Sequence, residues 1–167
     1  MKHVTADHCT YSVEVFDSIK PLEPLAKLAL NKEVFHHPEG RDIALIHFQD
    51  EAESLKLLQS LGVDTLNLRE PQKDRRIFYP YTEEGTLSFH TDDRFFAATN
   101  EPLPEGLCGA PVLDDDGDMC GCVEGIVPLT HEDKRIAGNA AFMPSHVMRA
   151  FIDSVERGLL EKIMPAS

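Results

Sequence analysis

The chain has 167 residues, 42% of them hydrophobic, enough to bury one sizeable core or two small ones sharing an interface. Lys and Arg number 16 against 29 Asp and Glu, a formal charge of −13, which argues against nucleic acid or an anionic membrane as partner, because each needs a basic footprint. No run approaches the roughly 18 apolar residues of a membrane span, and the opening MKHVTADHCTYS lacks the continuous apolar stretch of a secretory signal, so a soluble, cytoplasmic chain is expected.

In chain order, SVEVF alternates Val13 and Val15 with Ser12 and Glu14 and predicts a strand. The next segment is loop-rich, with prolines at 21 and 24, and ends in EVFHHP, a short strand running into a surface turn. RDIALIHF predicts a buried strand, with Ile43 to Ile46 in succession and Phe48 beyond. Asp50 is a cap candidate ahead of acids and of Leu55, Leu58 and Leu61 at spacing three, with Gly62 as the stop, so a short helix is expected over 50–62. Candidate strands then follow closely: TLNLRE, RRIFYPY, TLSFHT, RFFAAT, APVLD, MCGCVEGIV and NAAFMP, mostly separated by turn residues, as in a barrel or sandwich. SHVMRAFIDSVERG closes the chain as an amphipathic helix, with Ser145 as N-cap, Val147, Phe151 and Val155 on one face, and Gly158 as terminator.

Three short stretches carry candidate chemistry. Cys108 sits in EGLCGAPVL, where Gly106 can adopt dihedrals closed to other residues and Gly109 leaves room for a ligand. A cysteine so placed is either a nucleophile beneath converging backbone N–H groups or a small apolar residue in a tight turn. A nucleophilic thiol needs a base, usually a histidine oriented by a carboxylate. His8 in VTADHC and Asp42 at the head of RDIALI are the candidates; alone, each also reads as an ordinary loop or cap residue.

TADHC, HPEGRDIALI and GLCGAPVL, in that order, resemble the chymotrypsin/trypsin-like (PA clan) peptidase superfamily, whose motifs read Thr-Ala-x-His-Cys, Asp-Ile-Ala-Leu and Gly-x-Ser-Gly-Gly-Pro. The spacing, 34 residues from His8 to Asp42 and 66 from Asp42 to Cys108, suits a compact member of the HtrA/Deg or 3C-like kind. The resemblance implies an all-β fold: two six-stranded Greek-key β-barrels, the first truncated at its N-terminus, with a short inter-barrel helix and a C-terminal α-helix. The domains would be 1–49, a partial barrel carrying His8 and Asp42; 50–66, the helix and linker; 67–144, the barrel carrying Cys108; and 145–167, the closing helix.

The implied function is an endopeptidase that cleaves peptide bonds through an acyl-enzyme. His8 would be the general base, Asp42 its orienting partner and Cys108 the nucleophile, with the N–H groups of Gly106 and Cys108 as oxyanion hole. Glu124, Gly125 and Ile126 would pair with the peptide substrate by strand addition. Pro102 falls near the base of the primary specificity pocket, where nothing acidic supports a preference for Lys or Arg. No cofactor and no metal are implied.

The sequence also departs from the family. Cysteine replaces serine and Ala110 replaces the second glycine after the nucleophile. Only seven residues precede His8, so the first barrel would lack its opening strands, and a partner or a second copy of the chain would cover the open edges. These departures define the rival expectation, a catalytically inactive homologue that binds a peptide or protein.

Two metal patterns read better as structure. Cys120 and Cys122 with His131 lack the second ligand pair of a zinc site, and DDDGD places Val112 and Val123 at the end positions of a calcium loop. Cys120 and Cys122 are also too closely spaced along a strand for an easy disulfide, so reduced thiols are expected, with Cys9 free and partly buried.

Overall fold

A computed structural model describes residues 9–17, 19, 22–63, 65–73, 75–79, 84–99, 103 and 106–163; His8 and Pro102 lie outside them. The chain divides into two compact units, Met1–Thr65 and Leu66–Ser167.

In the first unit, β1 (Ser12–Phe16) pairs antiparallel with β2 (Pro24–Ala29). Opposed residues share a face, so Val13 with Leu28 and Val15 with Ala26 make an apolar side, while Glu14 and Lys27 form an ion pair of 2.7 Å on the other. β2 occupies part of the segment read from sequence as loop. Pro24 is compatible with a strand here because it stands at the first position, where a missing N–H costs no ladder bond. β3 (Phe35–His36) and β4 (Ala44–Leu45) form a second two-stranded sheet. The Leu30–Phe48 bridge, flanked by Asn31 N–H to His47 O at 2.8 Å, joins the end of β2 to the chain after β4.

The expected first barrel is therefore corrected. Among the described residues this unit holds two two-stranded sheets, and strands of two residues are too short to tilt, stagger and close. RDIALIHF is likewise not a buried strand: only Ala44 and Leu45 are extended, and Ala44 is exposed. The helix of this segment is as expected. In α1 (Glu51–Ser60) the Asp50 carboxylate accepts the Glu53 N–H at 2.9 Å, and Gly62 follows with φ +74°.

The second unit is built on a closed six-stranded antiparallel barrel. One meander runs β5 (Arg76–Phe78), β6 (Glu84–His90), β7 (Phe95–Thr99), and a second β8 (Pro111–Asp114), β9 (Met119–Ile126), β10 (Ala140–Pro144). Pairing of β5 with β8 and of β7 with β10 closes the ring in the order β10-β7-β6-β5-β8-β9. Closure follows from inward alternation, because Ile77, Leu87, Ala97, Val112, Val123, Ala140 and Phe142 all meet in one buried core. β9 is bulged twice, at Cys120 against β8 and at Glu124 against β10. Each bulge bends the strand round the small barrel and re-aims the side chains beyond it.

TLNLRE forms no named strand. Leu68 makes a lone bridge to Met119, and the Ser145 hydroxyl donates to Arg69 O at 2.6 Å, so the segment straps the start of the last helix to the barrel. That helix, α2 (Ser145–Ile163), packs on β9 and β10 and buries Phe151. It runs through Gly158, the expected terminator. A helical glycine costs only about 1 kcal/mol relative to alanine, and the residues beyond it are good helix formers. No helix among the described residues is long and apolar enough to cross a membrane.

Candidate functional site

Cys108 is displayed by a β-turn. The Ala110 N–H closes on Leu107 O at 2.9 Å, and Gly109 at the third position has φ +89°, which a type II turn demands and only glycine takes without strain. Gly106, just before the turn, has φ +91°. Two bonds stitch the turn to β9: Gly109 N–H to Val123 O at 2.8 Å and Val123 N–H to Ala110 O at 2.9 Å. Leu107 is buried in the core, so the turn is anchored from below while Cys108 stays exposed. The Cys108 Sγ lies 3.5 Å from the Glu124 carbonyl, as donor to it. Among the described residues, no backbone acceptor holds the N–H of Gly106 or of Cys108.

Glu124, Gly125 and Ile126 form the last stretch of β9 beside this thiol. Ile126 is half exposed, and Val127 N–H to Asn139 O at 2.9 Å fixes the chain after it. Buried Asn139 donates from Nδ2 to the Ser88 hydroxyl at 2.7 Å and to Arg135 O at 3.1 Å, locking the loop that returns to β10. Asp133 in that loop is held at about 2, first by its hydrogen bond to the Arg135 side chain.

The structure thus brings Cys108, Gly106 and the 124–126 strand together in the second unit. Asp42 is an exposed residue just before β4 in the first unit, and His8 lies outside the described residues. Sequence reading missed Arg94, whose Nε donates to Glu124 Oε2 at 2.7 Å. No sequence signal pairs the two, because they stand 30 residues apart and meet only across the rolled sheet.

Cys120 is fully buried and donates to Val112 O at 3.3 Å; burial, then the charge of Asp114, pushes its thiol up to about 12. Beside it the buried Tyr79 is raised well above the usual phenol range, by burial first and then by Cys120, and its hydroxyl has no hydrogen-bond partner among the described residues. Cys122 is half-buried, and the bulge at Cys120 breaks the strict alternation that would set the two thiols on one face.

In DDDGD, Asp114 Oδ1 accepts the N–H groups of Asp116 and Asp118, while Arg69 pairs with Asp114, Asp116 and Asp118, so one arginine offsets part of this turn's negative charge. Among the described residues no three potential ligands cluster around a metal position. All four cysteines are free, and Cys9, expected to be partly buried, is exposed. His37 Nδ1 accepts the Glu39 N–H at 3.3 Å in a turn ending at Gly40, as HHP led one to expect.

Alkylation of the native protein is expected to modify Cys108 and Cys9 and to spare Cys120, as read by residue-resolved mass spectrometry. An unfolded thiol ionises near 9 and folded Cys120 near 12, so its contribution to stability is full below pH 9 and is lost as the pH rises towards 12. Melting temperature should fall over that window, and less steeply in Cys120→Ala.

No protein-family model matches this chain, and no curated protein matches it either.

Proposed function

We propose that this chain is a trypsin-like cysteine peptidase in which Cys108 attacks the scissile carbonyl and forms a thioester acyl-enzyme. The observation that carries the proposal is the Leu107–Ala110 turn: an exposed thiol on a rigid type II turn at the rim of a closed antiparallel barrel, an architecture compatible with the chymotrypsin-like fold. In this reading the N–H groups of Gly106 and Cys108 would receive the oxyanion. His8 would take the thiol proton and return it to the leaving amine, with Asp42 orienting the imidazole. Glu124 to Ile126 would pair with the substrate backbone.

The test is the rate of alkylation of Cys108 from pH 4 to 9, in the native sequence and in His8→Ala. Rapid modification that persists well below pH 8 and disappears in His8→Ala is expected for a thiolate paired with His8. An ordinary thiol titration, unchanged by the substitution, would sink the proposal.

A second reading has its own support. Among the described residues the first unit forms two-stranded sheets and not a closed barrel, so a catalytically inactive homologue that binds a peptide or protein is favoured if that titration is ordinary.

A further inference from the structure

Among the described residues, β1 pairs on one side only: its sheet has two strands, and four of its five residues are exposed. β2 is engaged on both sides, because Leu30 just beyond it bridges to Phe48, with Gln49 N–H to Ala29 O at 3.0 Å and Asn31 N–H to His47 O at 2.8 Å. β1 is therefore the edge. Leu30 N–H to Tyr11 O at 3.0 Å fixes which backbone groups face inwards. By the alternation of an antiparallel ladder, Tyr11, Val13 and Val15 turn theirs to β2, and Ser12 and Glu14 turn theirs away.

Edge strands are ordinarily protected by a proline, a charge or a bulge that twists the edge away. β1 has no proline, its bulge falls at its last step, Val15/Phe16, and its one charge, Glu14, is matched by Lys27 at 2.7 Å. Apolar side chains stand open beside the free backbone groups, Val13 at 39% exposed and Phe16 at 45%. A two-stranded hairpin is marginal in water by itself, whereas more strands with a shared apolar face hold together.

We propose that a second copy of this chain adds its own β1 to this edge, antiparallel and across a two-fold axis, joining two hairpins in one four-stranded sheet. The residues of β1 favour that occupant because the strand is self-complementary in one register. With Val13 on the axis, opposite its own copy, Ser12 and Glu14 face each other and exchange the N–H and C=O groups left open. Tyr11 and Val15 then face each other on the same side of the sheet as the Val13 pair. An axis at Glu14 sets two carboxylates opposite each other, and an axis at Val15 sets Val13 against Asp17 across the bulge, so charge and polarity select the first register. The inference is independent of the peptidase proposal, because Cys108, His8 and Asp42 take no part in it.

The experiment is sedimentation velocity on the full chain over roughly 1–500 µM, a range set by the small size of an interface built on one strand pair. A monomer–dimer equilibrium is expected. Glu14→Pro removes an outward N–H and no β1–β2 bond, so it should leave the fold intact by circular dichroism and weaken the dimer at least about tenfold. Glu14→Gln keeps that N–H and should dimerise like the native chain. Cross-linking reads the register separately, and decides alone if Glu14→Pro does not fold. In a Cys9→Ser, Cys108→Ser background, Val13→Cys should give a disulfide-linked dimer under mild oxidation, because a non-hydrogen-bonded cross-strand pair brings the side chains closest. Glu14→Cys should not.

A native chain that stays monomeric at the highest concentration overturns the inference and leaves the edge to a different partner. A dimer that is unchanged in Glu14→Pro and does not cross-link through Val13→Cys also overturns it, since the contact then lies on another surface. Cross-linking through Glu14→Cys in place of Val13→Cys rejects the register and the charge argument behind it.

Discussion

On the peptidase proposal, Cys108→Ala is expected to lower kcat/KM for cleavage of a fluorogenic peptide pool by about 10⁴-fold or more, because removing the proposed nucleophile would leave only substrate binding and oxyanion stabilisation. The fold should not register the change. Cys108 is exposed, its turn is held by backbone bonds of Leu107, Gly109 and Ala110, and alanine takes the same dihedrals, so stability should stay within about 0.5 kcal/mol. Hydrolysis with an unchanged melting curve in the native protein, lost in the variant, assigns the chemistry to this thiol. Hydrolysis that survives Cys108→Ala would place the activity elsewhere or in a contaminant.

The largest effect on stability is expected from Gly121→Ala. A Cβ at position 121 would stand 2.5 Å from the Met143 carbonyl oxygen and 2.5 Å from the Phe142 ring, closer than such atoms can approach. Neither neighbour can give. The carbonyl belongs to β10, which pairs with β9 across Pro144↔Gly121, and Phe142 is wholly buried against Phe95 with ring centroids 5.7 Å apart. Overpacking of this kind should cost about 3 kcal/mol. For a unit of this size the melting temperature would then fall by about 15 °C, measured by calorimetry or circular dichroism. Gly158→Ala in α2 is the control of opposite sign: nothing lies within 4 Å of its built Cβ, and the helix should gain up to about 1 kcal/mol. Equal melting temperatures for Gly121→Ala and the native protein would refute the tight β9–β10 packing.

Much of the second unit was legible in the sequence because its strands are long enough to show their own pattern. Six of the seven segments read there as strands enter the barrel, and Gly106 has the positive φ that the motif suggested, whereas Gly109, read as leaving room for a ligand, has one too because the turn at Cys108 demands it. TLNLRE misled because its alternation reflects a strap with one bridge, and a single strand's pattern says nothing of how many neighbours will pair with it. In the first unit, the apolar run Ile43–Ile46 suggested a buried strand, but two-residue β3 and β4 offer little sheet for it to join. The prolines that made residues 21–29 read as loop hid β2, whose first residue is one of them.

Local chemistry determined what local rules control: the Asp50 cap, the type II turn at Cys108, the apolar faces of β8 to β10, and the choice of Cys108 as the thiol to watch. The number of closed barrels, the burial of Cys120, the bulge at Glu124 and its partnership with Arg94 were decided only by the tertiary structure. Those features depend on strand pairing between residues far apart in the chain, whose energy comes from closing a sheet on itself and is carried by no single segment.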